Sequence, residues 1–218
     1  MKKIVKILAG CFLIGLFFFM AGCAKPPTED IDAAKNAVES AQSVGAEKYL
    51  PDNAKKVVNE FSDALDEVKV QDGKFPLFRK YDRAKEMLAS AKGSAEKLRA
   101  DTITKKEEVK KNALAAMEEA NGAIGNAKAM LEKAPKGKET QADIEAMTGD
   151  VKGLEDSLPD VQKAVDGEDY EGAINKAKSI KEKADAVSGQ VQQAIEKVEA
   201  AKKAKEEAKK KKKGKGKK

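Results

Sequence analysis

The chain contains no histidine and no tryptophan, and its two cysteines, Cys11 and Cys23, both lie near the start of the sequence. The residues after Cys23 therefore cannot form an internal disulfide and lack the side chains that most often bind zinc. Carboxylates and lysines remain, but none lies in an aromatic or glycine-rich setting typical of a catalytic pocket. We expect a protein that is not an enzyme and that binds no cofactor and no metal.

Aromatic residues make up only 5% of the chain, whereas charged residues make up 37%. This composition argues against a large globular core. The abundance of Ala, Lys and Glu is typical of long helices that are stabilised by narrow apolar stripes. The sequence predicts an all-α fold, an elongated antiparallel helical bundle with coiled-coil-like helices and alanine-rich contact faces.

The net charge of +6 is unevenly distributed. Residues 1–22 carry +3 and residues 202–218 carry +9, which leaves −6 for the residues between them. The basic character therefore belongs to the two ends of the chain. We expect no nucleic-acid partner.

Residues 1–22 have the layout of a secretory signal peptide, with a basic start at Met1–Lys6 and an uncharged apolar run at Ile7–Met20. The run ends in Met20-Ala21-Gly22-Cys23, which resembles the lipobox of bacterial lipoproteins. That resemblance implies cleavage between Gly22 and Cys23 and acyl chains on Cys23. The mature protein would then be anchored to a membrane by its N-terminal lipid.

Two alternatives to this anchor remain. Leu8-Ala9-Gly10-Cys11 also fits the short pattern, but too little apolar chain precedes it. The leader could also stay uncleaved as a membrane helix, since its apolar run approaches the roughly 20 residues that span a bilayer. In the lipoproteins that this leader resembles, an Asp directly after the acylated Cys retains the protein at the inner membrane. Ala24 stands at that position here, so the resemblance implies an outer-membrane location facing the periplasm.

Apolar residues repeat at steps of three and four from residue 28 to residue 201. The pattern predicts a tether at 23–27, a first helical unit at 28–100, a second at 101–201 and a disordered lysine-rich tail at 202–218. Whether one helix continues across residues 101–104 is left open. Pro159 predicts a kink or a restart within its helix, and the glycines inside helical patterns predict close helix crossings or local flexibility. These glycines are Gly122, Gly125, Gly149, Gly153 and Gly189.

Four aromatic residues lie around the turn predicted at Asp72-Gly73, namely Phe61, Phe75, Phe78 and Tyr81. They could form a patch for a ligand or partner. We favour packing in the core, because alanine stripes bury little area and aromatic rings supply it. The stripe of the following helix is predicted to begin at Leu77.

The segment Gly167-Glu168-Asp169-Tyr170-Glu171-Gly172-Ala173-Ile174 resembles the inter-helix turn of a tetratricopeptide repeat, in which glycine permits a left-handed turn. The 34-residue period of true arrays is absent. The first half, through Gly45-Ala46, Tyr49-Leu50-Pro51, Ala54, Ala64, Tyr81 and Ala84, resembles an uncharacterised family of helical bacterial lipoprotein domains of unknown function. That resemblance implies no activity.

The last residues form a block of lysines that is a candidate site for anionic surfaces, such as lipopolysaccharide phosphates, anionic lipids or peptidoglycan carboxylates. They are Lys209, Lys210, Lys211, Lys212, Lys213, Lys215, Lys217 and Lys218. A solvated tail with no partner is the alternative. Lys218 is also similar to the terminal lysine through which the small murein lipoprotein is linked to peptidoglycan, which would imply a covalent link.

The sequence thus predicts a membrane-anchored cell-envelope lipoprotein that acts as a helical spacer or interaction scaffold. A binding module for a peptide, a lipid or an envelope protein is the alternative. Homo-oligomer formation is left open.

Overall fold

A computed structural model describes residues 25–135 and 140–215. Within those ranges the chain forms six α-helices and no strand, so the all-α prediction is confirmed. A single 3-10 turn, Pro76–Phe78, lies between the third and fourth helices. The helices are α1 (Thr28–Ser43), α2 (Ala46–Tyr49), α3 (Pro51–Asp72), α4 (Asp82–Lys133), α5 (Gln141–Asp166) and α6 (Tyr170–Lys215).

The chain divides into two compact units between Lys106 and Glu107, a few residues after the predicted boundary. This point lies within α4. Because α4 is unbroken, one helix continues across residues 101–104. Thr102 is fully buried there, and its hydroxyl donates a hydrogen bond of 2.7 Å to the Leu98 carbonyl. A threonine that bonds within its own helix in this way does not interrupt it.

The first unit is built around two neighbouring clusters of small apolar residues. One cluster joins the start of α1 to the end of α3 and the start of α4, through Ala34, Ala64, Val68, Tyr81, Ala84 and Leu88. The other joins the end of α1 and α2 to the start of α3 and the next turns of α4, through Val38, Ala41, Ala46, Ala54, Val57, Ala95 and Leu98. Helices α1 and α3 are therefore antiparallel, as are α3 and α4. Alanine at so many contact positions lets the helix axes approach closely.

The second unit buries residues of three helices. On α5 they are Met147, Val151, Val161 and Val165, and α5 packs against α6. Lys128 of α4 forms an ion pair with Glu155 of α5. Helix α5 runs through Pro159 without ending, so of the predicted kink or restart the restart is wrong and the kink stays a prediction.

In the turn between α5 and α6, the residue with left-handed backbone geometry is not the expected glycine. Gly167 has a φ of −81°, and the positive φ of 58° belongs to Glu168. Asp169 precedes α6 and its carboxylate accepts a hydrogen bond from the Gly172 N–H at 3.2 Å. This carboxylate satisfies one of the free N–H groups of the first turn, the usual role of an N-cap aspartate. A Cβ at position 172 would lie 2.7 Å from the Asp169 carboxyl carbon, so the carboxylate would have to move away from its place at the Gly172 N–H.

The five helix glycines lie at exposed positions, and a Cβ built on any of them meets no atom within 4 Å. The predicted close helix crossings at these positions are therefore wrong.

The stripe of α6 is buried from Tyr170 to Val191, and no residue described after Val191 is buried. Ala194 and Val198 are half-buried and Ala201 is exposed, so the predicted stripe extends further than the contacts do. The helix nevertheless continues to Lys215, where disorder was predicted from residue 202. Alanine, lysine and glutamate have high helix propensity, which favours continuation even without tertiary contacts.

Candidate functional site

The predicted lipid attachment at Cys23 and the cleavage point at Gly22 lie outside the described residues. The described chain begins at Lys25, Pro27 is buried, and α1 starts at Thr28. In the part of the chain that the structure describes, no helix has the length and apolar character needed to cross a membrane.

The predicted lysine site lies largely within α6. Lys209 is exposed, Lys210–Lys213 and Lys215 are helical, and Lys217 and Lys218 lie outside the described residues. We call residues 202–215 of α6 the basic extension. At 1.5 Å per residue it is a helix of roughly 20 Å.

The aromatic residues around the first turn are not all in the core. Tyr81 is buried and Phe61 packs against both clusters of the first unit. Phe75 and Phe78, however, are 66% and 70% exposed, and Leu77 is 72% exposed. The prediction of core packing is wrong for these three residues. We call residues 73–80, which carry them, the apolar turn.

Hydrogen bonds from both flanks hold the apolar turn in place. The buried Gln71 carboxamide oxygen accepts hydrogen bonds from the Lys80 N–H at 3.2 Å and from Lys74 Nζ at 2.9 Å. The Arg79 guanidinium donates to the Lys74 carbonyl at 3.0 Å and to the Asp72 carbonyl at 2.9 Å. With its backbone fixed in this way, the turn presents its apolar side chains outward. The Phe75 and Phe78 ring centroids lie 6.3 Å apart, within the range of an aromatic pair.

Tyr81 connects the apolar turn to the core. Its hydroxyl donates a hydrogen bond of 2.5 Å to Asp72 Oδ1. This bond, together with burial and the negative charge of Asp72, raises the pKa of Tyr81 above 10.0. All three effects favour the neutral phenol over the phenolate.

Sequence reasoning missed the apolar turn because the stripe of α4 was extended backwards from Tyr81 to Leu77. Pro76 disfavours a helical Phe75 but is compatible with a helix that begins at Pro76, so the proline did not mark Leu77 as lying outside α4. The three exposed apolar residues also lie between Lys74 on one side and Arg79 and Lys80 on the other.

A groove of about 670 Å³ lies in the second unit between the start of α5 and the second half of α6. It opens where the buried stripe of α6 has ended. Its apolar wall comprises Ala146, Met147, Ala194, Val198 and Ala201, and its charged rim comprises Asp143, Asp150, Lys197, Lys202 and Lys205.

A depression of about 530 Å³ lies between the end of α4 and α5, where Leu131, Ile144 and Val151 form its floor. The Lys128–Glu155 ion pair is part of its lining. It offers less open apolar surface than the groove does.

Among the described residues, no group of three or more carboxylate side chains is placed to hold a metal ion. No protein-family model matches the chain, and comparison with curated proteins and with solved structures finds no match. The likeness of the first half to a family of helical lipoprotein domains therefore stays a prediction.

Proposed function

We propose that the protein is a lipid-anchored lipoprotein of the bacterial cell envelope that acts as a helical spacer or interaction scaffold. The observation that carries the proposal is the order of segments at the start of the chain. A basic and apolar leader ends in Gly22-Cys23, and α1 begins at Thr28, a few residues later. The helical body would thus follow the acylated residue directly.

In this proposal the acyl chains on Cys23 hold the protein at the membrane, since two or more chains give stable anchoring where one gives only reversible binding. Ala24 directs it to the outer membrane, facing the periplasm. The basic extension supplies a second contact, to peptidoglycan, to lipopolysaccharide or to an acidic envelope protein. Its charge is concentrated on one helix beyond Val191, the last residue that is buried where the structure describes burial.

The anchor is tested by replacing Cys23 with Ser and labelling cells with a fatty-acid probe. We expect the Cys23→Ser protein to take up no label and to accumulate as a larger precursor, because the lipid is attached through the cysteine sulfur. The matched variant, Cys11→Ser, should be labelled and processed like the wild type. Loss of label in Cys11→Ser with full labelling of Cys23→Ser would move the anchor to Cys11.

A second candidate function is a binding module, and the groove between α5 and α6 favours it. An apolar wall with a rim of both charges suits an amphipathic peptide or a lipid. A photo-crosslinking residue at Ala146, which lines the groove, can be compared in cells with one at Ala142, which is exposed outside it. Specific adducts from position 146 alone would favour the module, whereas equal, sparse labelling at both positions would favour the spacer.

A further inference from the structure

We propose that the apolar turn, residues 73–80, docks on an anionic membrane by inserting Phe75, Leu77 and Phe78 into the headgroup region. This inference rests on the proposed function, because it assigns the turn to the same membrane that holds Cys23. It makes the first unit a body with two membrane contacts, one covalent and one formed by its own side chains.

The chemistry of the turn fits the boundary between water and lipid. Phe75, Leu77 and Phe78 are about two-thirds exposed and lie within four consecutive residues, and the Phe75 and Phe78 rings form a pair, so one short loop exposes their apolar surface together. Burial of that surface in the headgroup and acyl boundary removes it from water.

The charges beside these residues identify the type of membrane. Lys74 precedes the three apolar residues and Arg79 and Lys80 follow them, and no acidic residue occurs between positions 73 and 80. Lipid surfaces rich in anionic headgroups attract basic residues that lie close to them. Positive charge on both sides of an apolar tip therefore suits an anionic bilayer.

The turn is already ordered before it docks. Gln71 and Arg79 make four hydrogen bonds at the turn, two of them to its own backbone at the Lys74 carbonyl and the Lys80 N–H, and Tyr81 ties its end to Asp72. Insertion consequently costs little loss of conformational freedom, which is the general advantage of a preorganised surface.

The position of the turn within the first unit brings it to the membrane. Ile31 and Ala34, at the start of α1, pack in the same cluster as Val68, at the end of α3, and Tyr81, directly after the turn. The N-terminal end of α1 and the apolar turn thus lie at the same end of this unit. Cys23 precedes Thr28 by so few residues that even an extended chain places it at most about 18 Å away. A lipid on Cys23 would hold this end of the unit against the bilayer.

The absence of tryptophan from the chain makes a direct test possible. The acylated full-length protein is prepared with Phe78→Trp or, as a matched control, Val58→Trp. Val58 is also an exposed apolar residue of the first unit, at 40%, but lies on α3 about 21 Å of helix before Asp72. Both proteins are placed in vesicles of phosphatidylglycerol and phosphatidylethanolamine, or of phosphatidylcholine alone.

In the anionic vesicles we expect the emission of the tryptophan at 78 to move to shorter wavelength, to lose accessibility to acrylamide and to be quenched by brominated acyl chains. The tryptophan at 58 should keep the emission of a residue in water in both vesicle types. Replacing Lys74 and Lys80 with Gln in the Phe78→Trp protein should reduce the shift in anionic vesicles. Circular dichroism should show the same helix content in all variants.

Three results would overturn the proposal. The first is a vesicle-bound protein whose tryptophan at 78 stays accessible to acrylamide. The second is an equal shift at position 58 or in phosphatidylcholine. The third is a shift that needs only a higher protein concentration and no vesicles, which would assign the turn to contact between copies of the chain. Failure of the lipid anchor is seen separately, as absence of fatty-acid label on Cys23.

Discussion

At the scale of single residues, the hydrogen bond between Tyr81 and Asp72 shows how a few side chains decide the form of the apolar turn. The phenol is buried beside a carboxylate and must keep its proton to donate to it. Its pKa is therefore raised above the value of about 10 expected in the unfolded chain. A group of this kind stabilises the fold below the unfolded pKa, and that contribution is lost as pH rises through the folded pKa.

We predict that Tyr81→Phe lowers the free energy of unfolding at pH 7 and leaves Asp72 without its donor. The difference from wild type should narrow as pH rises above about 10, because the Tyr81 phenol of the unfolded wild-type chain then ionises while that of the folded chain keeps its proton. Urea unfolding followed by circular dichroism between pH 7 and pH 11 measures it. Tyr170→Phe, in the second unit, controls for loss of a tyrosine hydroxyl elsewhere. A stability difference that is constant with pH would contradict the role assigned to the phenol.

At the scale of helices, the exposed glycines weaken α4, α5 and α6 without any packing benefit. A Cβ at Gly122, Gly125, Gly149, Gly153 or Gly189 faces open space. We predict that each change to alanine stabilises the protein by up to about 1 kcal/mol, the difference in helix propensity between the two residues.

Thermal melting of the single variants checks this prediction. Gly172→Ala serves as a control in which the change to alanine should lower the melting temperature. Its new Cβ collides with the Asp169 carboxylate that caps α6, so that variant should melt at a lower temperature than the wild type. A loss of stability in the exposed glycine variants would show that those positions are packed against something in solution.

The connection between α3 and α4 shows where prediction of elements from the sequence succeeded and where it failed. Ala84, Leu88, Ala91, Ala95 and Leu98 are all buried as their spacing predicts. Leu77 has the right spacing to extend that stripe but lies outside the helix, because the chain is turned at Pro76 and held by Gln71 and Arg79. Spacing identifies the face of a helix and cannot by itself identify the residue at which the helix begins.

At the scale of the whole molecule, the charge of the C-terminal end is opposite to that of the helical body, residues 23–201. Residues 202–218 carry +9, whereas the body carries −6. In the proposed scaffold this block of lysines is the concentrated source of attraction to anions.

We predict that Lys→Gln changes at Lys209, Lys210, Lys211, Lys212 and Lys213 sharply reduce sedimentation of the purified protein with isolated cell walls. Lys→Arg changes at the same positions keep the charge and should preserve binding. Wild-type binding should weaken as salt rises, since the Debye length shortens from about 10 Å at 0.1 M to about 3 Å at 1 M. Melting should change little, because no residue described after Val191 is buried. If binding depends neither on salt nor on the Gln changes, the basic extension has no role in attachment.

The sequence by itself determined the helices and most of their buried faces, because these depend on propensity and on a repeat of three and four residues within each segment. Ala34, Val38 and Ala41 of α1 and the stripe of α6 from Tyr170 to Val191 follow from that local pattern. The resemblance of Met20-Ala21-Gly22-Cys23 to a lipobox is equally local, and it stays a prediction.

Only the tertiary structure decided which apolar residues find a partner, because burial depends on what another segment of the chain places opposite them. The stripe of α6 continues in sequence past Val191, but no partner buries Ala194 or Val198, and a groove opens there. Phe75 and Phe78 lie close in sequence to the buried Tyr81 and yet face solvent, since the turn directs them away from the core. The apolar pattern therefore predicted neither the groove between α5 and α6 nor the exposure of the apolar turn. The pattern gives the order of hydrophobic residues along the chain and not their neighbours in space.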